Sequence, residues 1–388
     1  MFDYNQIIEF DPGTLIRMDL DLEPSFPIFF GYDIEDHFID TLKQAVSHNS
    51  VDRVFFLTDA FIFDLFGGHF YEKIKQAFTT TDIYLLPRGE SCKTFEVLQT
   101  LCDHLVGKGV SKRSLLIAFG GGSVGNITGL AAGLIFRGIR FIEIPTTITH
   151  QTDGVLSNKQ AVNGKHGKNN FGLYHAPLLA WADTRYTEHE PLRFKKSGII
   201  EGIKNGLIDQ QAFLPFLERA IRQNGDYTPQ QLTDLCFKLI RSKFEILKKD
   251  PTEKHYGIIL EYGHTFAHAI EWLSKDTLTH GESVSFGMKI AAELSCKLVY
   301  INDKAVNLHY HLIDDVLQLR PRLPEHLNPE TVFDTMYADN KRIGRDVRYV
   351  LLKNIGQCKK GDGDYLLHVD KAIVKGVLEN FFTNFANP

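Results

Sequence analysis

The stretch Glu261-Tyr-Gly-His264-Thr-Phe-Ala-His268-Ala-Ile-Glu271, followed by Thr279-His280-Gly281-Glu282, gathers three histidines and three carboxylates within a short span. His264 and His268 are four apart, so a helix places them one turn apart on one face. His280 falls in a loop or at a helix start. Two or three neutral imidazoles with one carboxylate form a borderline-soft, open site suited to Zn²⁺. A helical histidine pair alone is more often a satisfied core feature. The third histidine and the company of Glu261, Glu271 and Glu282 turn the reading toward a metal. No HExxH motif lies nearby, which excludes the zincin peptidases. Glu201, in Ser197-Gly-Ile-Ile-Glu201-Gly-Ile-Lys204, is the candidate carboxylate ligand, the plain alternative being an exposed helix carboxylate.

A second chemistry is written in backbone. The run Gly120-Gly121-Gly122-Ser123-Val-Gly125-Asn126 follows the apolar Leu115-Leu-Ile-Ala-Phe119 directly. Strand, glycines and helix in that order bring amide N–H groups to a helix N-terminus, where a pyrophosphate approaches closely. The spacing departs from the usual dinucleotide fingerprint. Asp59, at the tip of an earlier strand, is placed to hold a ribose hydroxyl. Beyond Pro145 the chain turns polar, with Asp153 and then amides and lysines from Asn158 to Asn170 that include Lys159, Lys168 and Asn169. Such side chains suit a phosphorylated, hydroxyl-rich ligand; the plain alternative is a solvated loop. Asp339-Asn-Lys341-Arg342 adds cations in a late loop.

These groups need elements to carry them. Arg53–Asp59, Asp82–Pro87, Leu115–Phe119 and Phe141–Pro145 are short apolar runs with the profile of buried parallel strands. Helical stretches separate them, so a parallel sheet with Rossmann-like winding is expected. Residues 1–30 read as a hairpin or edge strands. From about Thr184 helical periodicity dominates. The expected architecture is an α/β Rossmann-like domain over 1–184 and a mainly α-helical domain over 185–388.

At 388 residues the chain is long enough for two such cores. A net charge of -5, with no Lys/Arg block, argues against nucleic acid as the main partner. No apolar run approaches the roughly 20 residues that span a bilayer, and the first residues resemble no signal peptide. Five scattered cysteines, Cys92, Cys102, Cys236, Cys296 and Cys358, suit reduced thiols in a cytoplasm.

Taken together, Gly89-Glu90-Ser-Cys-Lys93-Thr, the glycine run, Phe136-Arg137-Gly138, Ile144-Pro-Thr146-Thr147, Lys168-Asn169, Glu201-Gly-Ile-Lys204, Tyr262-Gly-His264-Thr-Phe-Ala-His268, His280-Gly-Glu282 and Asp339-Asn-Lys341 resemble the sugar phosphate cyclase superfamily. Its best-known members are the 3-dehydroquinate synthases, and the order of the motifs matches from about 50 to 350. The resemblance implies metal ligands Glu201, His264 and His280, with Zn or Co as the ion and His268 left for substrate. It implies NAD held by Asp59, Glu90, Lys93, Gly120, Gly121, Gly122, Ser123, Asn126, Thr146 and Thr147. Substrate contacts would be Lys159, Lys204, His268, Asp153, Lys168, Asn169, Arg137, Lys243 and Lys341, with Arg137 reaching across a homodimer.

Two departures narrow the choice. Dehydroquinate synthases carry an arginine for the substrate carboxylate seven residues before the first metal histidine; here that position is Gly257. They carry asparagine three residues before it; here stands Glu261, the expected general acid/base of this branch. Leu156-Ser-Asn-Lys159-Gln-Ala-Val-Asn163 and Leu260-Glu-Tyr-Gly-His264 look most like the 2-deoxy-scyllo-inosose synthases, followed by the sedoheptulose 7-phosphate cyclases. The implied chemistry on D-glucose 6-phosphate is oxidation at C4, loss of phosphate from C6, reduction back at C4, ring opening and intramolecular aldol closure. Iron-type alcohol dehydrogenases share the layout and a GGGS turn, but the residue four after Glu201 is Asn205, so the Asp-x-x-x-His ligand pair of that family is not formed there. A cyclase-like protein that binds NAD without catalysis is the non-enzymatic alternative, disfavoured by the complete ligand set.

Overall fold

Short runs rich in apolar residues fold as strands: β1 (Ile16–Asp19), β2 (Pro27–Gly31), β3 (Val54–Asp59), β4 (Thr81–Leu86), β5 (Leu115–Gly120) and β6 (Arg140–Pro145). After them come a hairpin of β7 (Lys159–Gly164) and β8 (Gly167–Tyr174), and then β9 (Ala180–Asp183). A computed structural model describes residues 3–4, 10–19, 25–46, 50–165, 167–336 and 346–386. One sheet runs in the order β1-β2-β9-β6-β5-β3-β4. Its pairs are parallel except the antiparallel β1/β2.

The sheet is buried on both faces, and period-2 alternation shows it. Phe55, Leu57, Leu116, Ala118 and Phe141 share one core with α3 (Phe95–Gly107) and α4 (Gly122–Leu134). Val54, Phe56, Leu115, Ile117, Phe119, Ile142 and Ile144 join the other, with α1 (Phe38–Val46) and α2 (Gly68–Ala77). Helices on both faces are what a parallel sheet requires. The short α5 (Ile148–Thr152) follows β6.

The polar stretch after Pro145, for which a solvated loop was the plain alternative, forms α5 and a β-hairpin. The strand β9 went unread, although Leu179-Ala-Trp-Ala-Asp183 is a short apolar run, and it completes the sheet between β2 and β6. It was too brief to separate from a loop by periodicity.

The chain divides into a sheet unit, Ile7–Glu190 with Tyr227–Ile240, and a helical unit of Met1–Gln6, Pro191–Asp226 and Arg241–Pro388. The helical unit holds α6 (Leu192–Ile208), the end of α7 (Pro229–Leu247), α8 (His264–Leu273), α9 (His280–Lys297) and α10 (Lys371–Ala386). A small antiparallel ribbon, β10 (Leu352–Asn354) with β11 (Gln357–Cys358), interrupts its helical character. Among the described residues no helix is long and apolar enough to cross a membrane.

Candidate active site

Three helices of the helical unit deliver the metal-type side chains. Glu201 lies deep in α6, whereas His264 and His280 are the first residues of α8 and α9. Each start is built by its own device. Gly263 precedes α8 in the left-handed region at φ 78°, and a Cβ there would stand 2.7 Å from Met288 N on α9. Thr279 caps α9 in a reciprocal capping box with Glu282. Gly281 then lets α9 close onto α6, since a Cβ would meet the Ser197 carbonyl at 2.4 Å. Ser197 is one helical turn before Glu201, so this contact carries His280 toward the carboxylate.

The result is compact: one ligand atom each from Glu201, His264 and His280 lie within 4.8 Å of one another. Glu201 Oε1 is 3.3 Å from His280 Nε2 and 3.7 Å from His264 Nε2. It is buried yet makes no hydrogen bond, an arrangement that is destabilising unless a positive group meets it. The rear nitrogens are engaged: His264 Nδ1 lies 3.2 Å from the Tyr262 carbonyl, and His280 Nδ1 lies 3.1 Å from Glu271 Oε2. Such partners orient an imidazole with Nε2 toward an ion. A carboxylate and two oriented imidazoles around an unsatisfied oxygen fit a divalent cation with open positions.

Charge at the site follows from burial. Desolvation works to raise the Glu201 carboxyl, but the Lys204 ammonium and the two imidazoles outweigh it and hold it well below the usual range. Desolvation and Lys204 together push His264 well below its ordinary value. For His280 desolvation is outweighed by Glu271 and Glu201, and it rises to about 10. Lys204, one turn from Glu201 and equally buried, hydrogen-bonds Glu201 Oε2.

His268 faces the same place, its ring centroid 5.3 Å from His264 and 6.5 Å from His280. Glu261 ends a 3-10 turn, Tyr256–Glu261, and its charge acts on His264. Lys243 is buried on α7, whose neighbour Ser242 accepts a hydrogen bond from Asn205 of α6 at 3.0 Å. Gly257 is buried too, and its N–H donates to Asp250 Oδ2 at 2.9 Å. Lys341 lies outside the described residues.

In the sheet unit, β5 ends at Gly120 and α4 starts at Gly122 with Gly121 as its N-cap. No side-chain hydrogen bond caps it. Nothing stands within 4 Å of where a Gly122 Cβ would be, and the buried Thr146 Oγ1 makes no hydrogen bond. Open helix amides beside an unsatisfied hydroxyl fit the phosphates of a nucleotide. Ser123 is in the first turn of α4. Asn126 instead ties α4 to the hairpin: its amide donates to the Gly122 carbonyl at 3.0 Å and its oxygen accepts from Ala161 N at 3.2 Å. Thr147 caps α5 through His150 N, and Asp59 Oδ1 caps the turn after β3 through Ile62 N.

Expected cofactor and substrate residues converge on a second cluster. Glu90 Oε2 accepts from Asn163 Nδ2 at 3.0 Å and pairs with Lys168 Nζ at 3.3 Å. Lys93 Nζ hydrogen-bonds Asn169 Oδ1, and Asn169 N donates to Asn163 Oδ1 at 3.0 Å. Asn163 is thus the hub that sequence reading left out of its site, though it stood in the amide-rich stretch. Glu271 and Tyr262 were likewise missed as partners of the histidines. Lys159 is exposed at the start of β7, Asp153 sits at the end of α5, and Arg137 is exposed after α4 at φ 67°.

Residues 83–196 match the family 3-dehydroquinate synthase N-terminal, and 198–342 match 3-dehydroquinate synthase C-terminal. A 2-deoxy-scyllo-inosose synthase of Niallia circulans is 32% identical over 90% of this chain and 96% of its own. A 3-dehydroquinate synthase of Thermoanaerobacter pseudethanolicus is 33% identical over 89% and 95%. Among solved structures, a 2-deoxy-scyllo-inosose synthase complexed with carbaglucose-6-phosphate, NAD⁺ and Co²⁺ superposes with TM-score 0.84 at 30% identity, covering 95% of this chain and 99% of that one.

Proposed function

The chain belongs to the 3-dehydroquinate synthase family, and from that premise we propose that it converts D-glucose 6-phosphate to 2-deoxy-scyllo-inosose with NAD and one divalent ion, Zn²⁺ or Co²⁺. The observation that carries the choice of substrate is Gly257. Where dehydroquinate synthases place an arginine for the substrate carboxylate, this chain has a buried glycine. Asp250 accepts from the N–H groups of His255 at 2.7 Å and Gly257 at 2.9 Å, closing the turn. A Cβ at 257 would stand 3.0 Å from the Asp250 carbonyl and 3.3 Å from its carboxylate. The position offers no cation, and a side chain there would press on the Asp250 turn, which favours a neutral sugar.

Glu201, His264 and His280 hold the ion, and the amides after Gly120, with Ser123, Thr146, Thr147 and Asp59, hold NAD. When bound, NAD supplies reversible hydride acceptance and the ion supplies Lewis acidity at the same carbon's oxygen. Lys204 and His268 orient the C4 oxygen, Lys204 adding a positive charge beside it. Glu261 moves the proton at C5, so phosphate leaves C6 by elimination; a carboxylate set close to that phosphate is suited to take up a proton. Lys159, Lys168, Asn169, Asp153, Arg137, Lys243 and Lys341 bind the phosphate and hydroxyls, and Glu90 and Lys93 brace them. A homodimer belongs to the same reading, supported by exposed Leu134 and Phe136 beside Arg137 and by exposed Phe171 and Tyr174 on β8. So does a cytoplasmic location, supported by five cysteines none of which is in a disulfide.

Dehydroquinate synthase is the second reading, because relatives of that name are equally similar. Release of inorganic phosphate decides between them. Metal-loaded protein with NAD⁺ is offered glucose 6-phosphate, sedoheptulose 7-phosphate and the acidic seven-carbon substrate of dehydroquinate synthase. Release from glucose 6-phosphate alone, with no NADH accumulating, is expected. Release only from the acidic substrate overturns the reading of Gly257.

A further inference from the structure

Beneath the glycine turn lies a polar cluster that the proposed reaction does not use. Glu143 on β6, His150 on α5 and Gln160 on β7 are each 2% exposed. His150 Nδ1 lies 3.1 Å from the Gly120 carbonyl oxygen, and Nε2 lies 3.3 Å from Glu143 Oε2. Gln160 Nε2 donates to Glu143 Oε1 at 3.3 Å. The imidazole is clamped in place: a Cβ on Gly125 of α4 would stand 2.5 Å from its Cε1, and one on Gly154 would stand 3.0 Å from its Cδ2.

Hydrogen bookkeeping assigns the ring. A carbonyl oxygen only accepts, so the hydrogen bond to Gly120 requires hydrogen on Nδ1. Nε2, on the opposite edge of the ring, faces the Glu143 carboxyl instead. The Gly120 oxygen also accepts from Thr146 N at 3.0 Å. Both its lone pairs are engaged, so the Gly120–Gly121 peptide is held at a set angle. That peptide is planar, and its N–H projects opposite the carbonyl. It is the first amide of the run that opens α4.

We propose that His150 is a positioning residue for the nucleotide: by holding the Gly120 carbonyl it aims the amides at the start of α4. The inference rests on reading Gly120–Gly122 as the NAD turn.

The test is NAD⁺ affinity of the full-length protein by titration calorimetry, with melting temperature in the absence of NAD⁺ as a folding control. His150→Ala is expected to weaken binding about tenfold, the scale of one lost hydrogen bond to a buried group. His150→Asn places its amide nitrogen near the position of Nδ1 and is expected to stay within about threefold of wild type, by the same hydrogen-bond scale. His150→Gln places its nitrogen near Nε2 instead and is expected to bind as weakly as the alanine variant. Should the alanine variant not fold, the Asn and Gln variants carry the test, because a merely structural role would not separate them in that order. Equal affinities for Asn and Gln, or unchanged affinity for Ala, overturn the positioning role. A wild-type protein that binds no NAD⁺ overturns the nucleotide reading itself, and this inference with it.

Discussion

The two chemical regions of this protein are built by opposite means. The glycine turn is contiguous in sequence: strand, three glycines and helix, with the backbone as the instrument. The metal-type site draws on residues 201, 264 and 280, each on a separate helix, and works through side chains. Backbone amides at a helix start point outward wherever a strand–helix turn forms, so the turn needs only local geometry. Three ligands on three helices need close packing, tight N-terminal starts and partners behind each imidazole. The helical site should accordingly fail sharply when one part is removed, and the turn should fail by degrees.

The largest effect tests the ligands. Glu201→Ala, His264→Ala or His280→Ala should each leave the purified protein without its metal by elemental analysis. Phosphate release should fall about a thousandfold, equivalent to about 4 kcal/mol of charge stabilisation. Retention of metal by any of them would break the contrast. Next, Glu261→Gln should lower phosphate release by roughly 10²–10⁴-fold, the range for a general acid/base, with NAD⁺ and metal binding unchanged. Glu271→Gln, behind His280, should cost roughly 10–100-fold in metal affinity by chelator competition, as outer-shell partners do. Full affinity there would mean that His280 needs no support from its rear nitrogen.

The smallest effect is a pH slope in stability. Tyr262 OH lies 3.0 Å from His309 Nε2, and His309 Nδ1 lies 2.7 Å from the Ala305 carbonyl, both side chains fully buried. Burial pushes His309 down to about 4. Between that value and the ordinary one near 6.5 the unfolded chain binds the proton that the folded chain refuses, so stability rises with pH across this window. Denaturant melts from pH 4 to 7 should show that rise, and His309→Gln should flatten it.

Much of this was legible in the chain. The strands β3 to β6 are apolar runs of buried-strand length, and β5 leads straight into its glycines. Glutamate and histidine declare metal-type donors by residue type, and the resemblance singled out Glu201, His264 and His280 from neighbours such as His268. Other features were beyond any reading of periodicity. Glu271 looks like one more helix carboxylate until the fold sets it behind His280. Asn163 is one amide among several until the hairpin lays it between Glu90 and Asn169. The polar stretch after Pro145 pairs as β7 and β8 because its hydrogen bonds are made across the hairpin, where side-chain polarity gives no signal. Local steric and hydrophobic rules, acting over a few residues, already specify strands, glycine turns and donor types. Which distant side chains meet, and which glycines must leave room for a neighbouring backbone, depends on contacts between segments tens of residues apart, and those exist only once the helices and strands have packed.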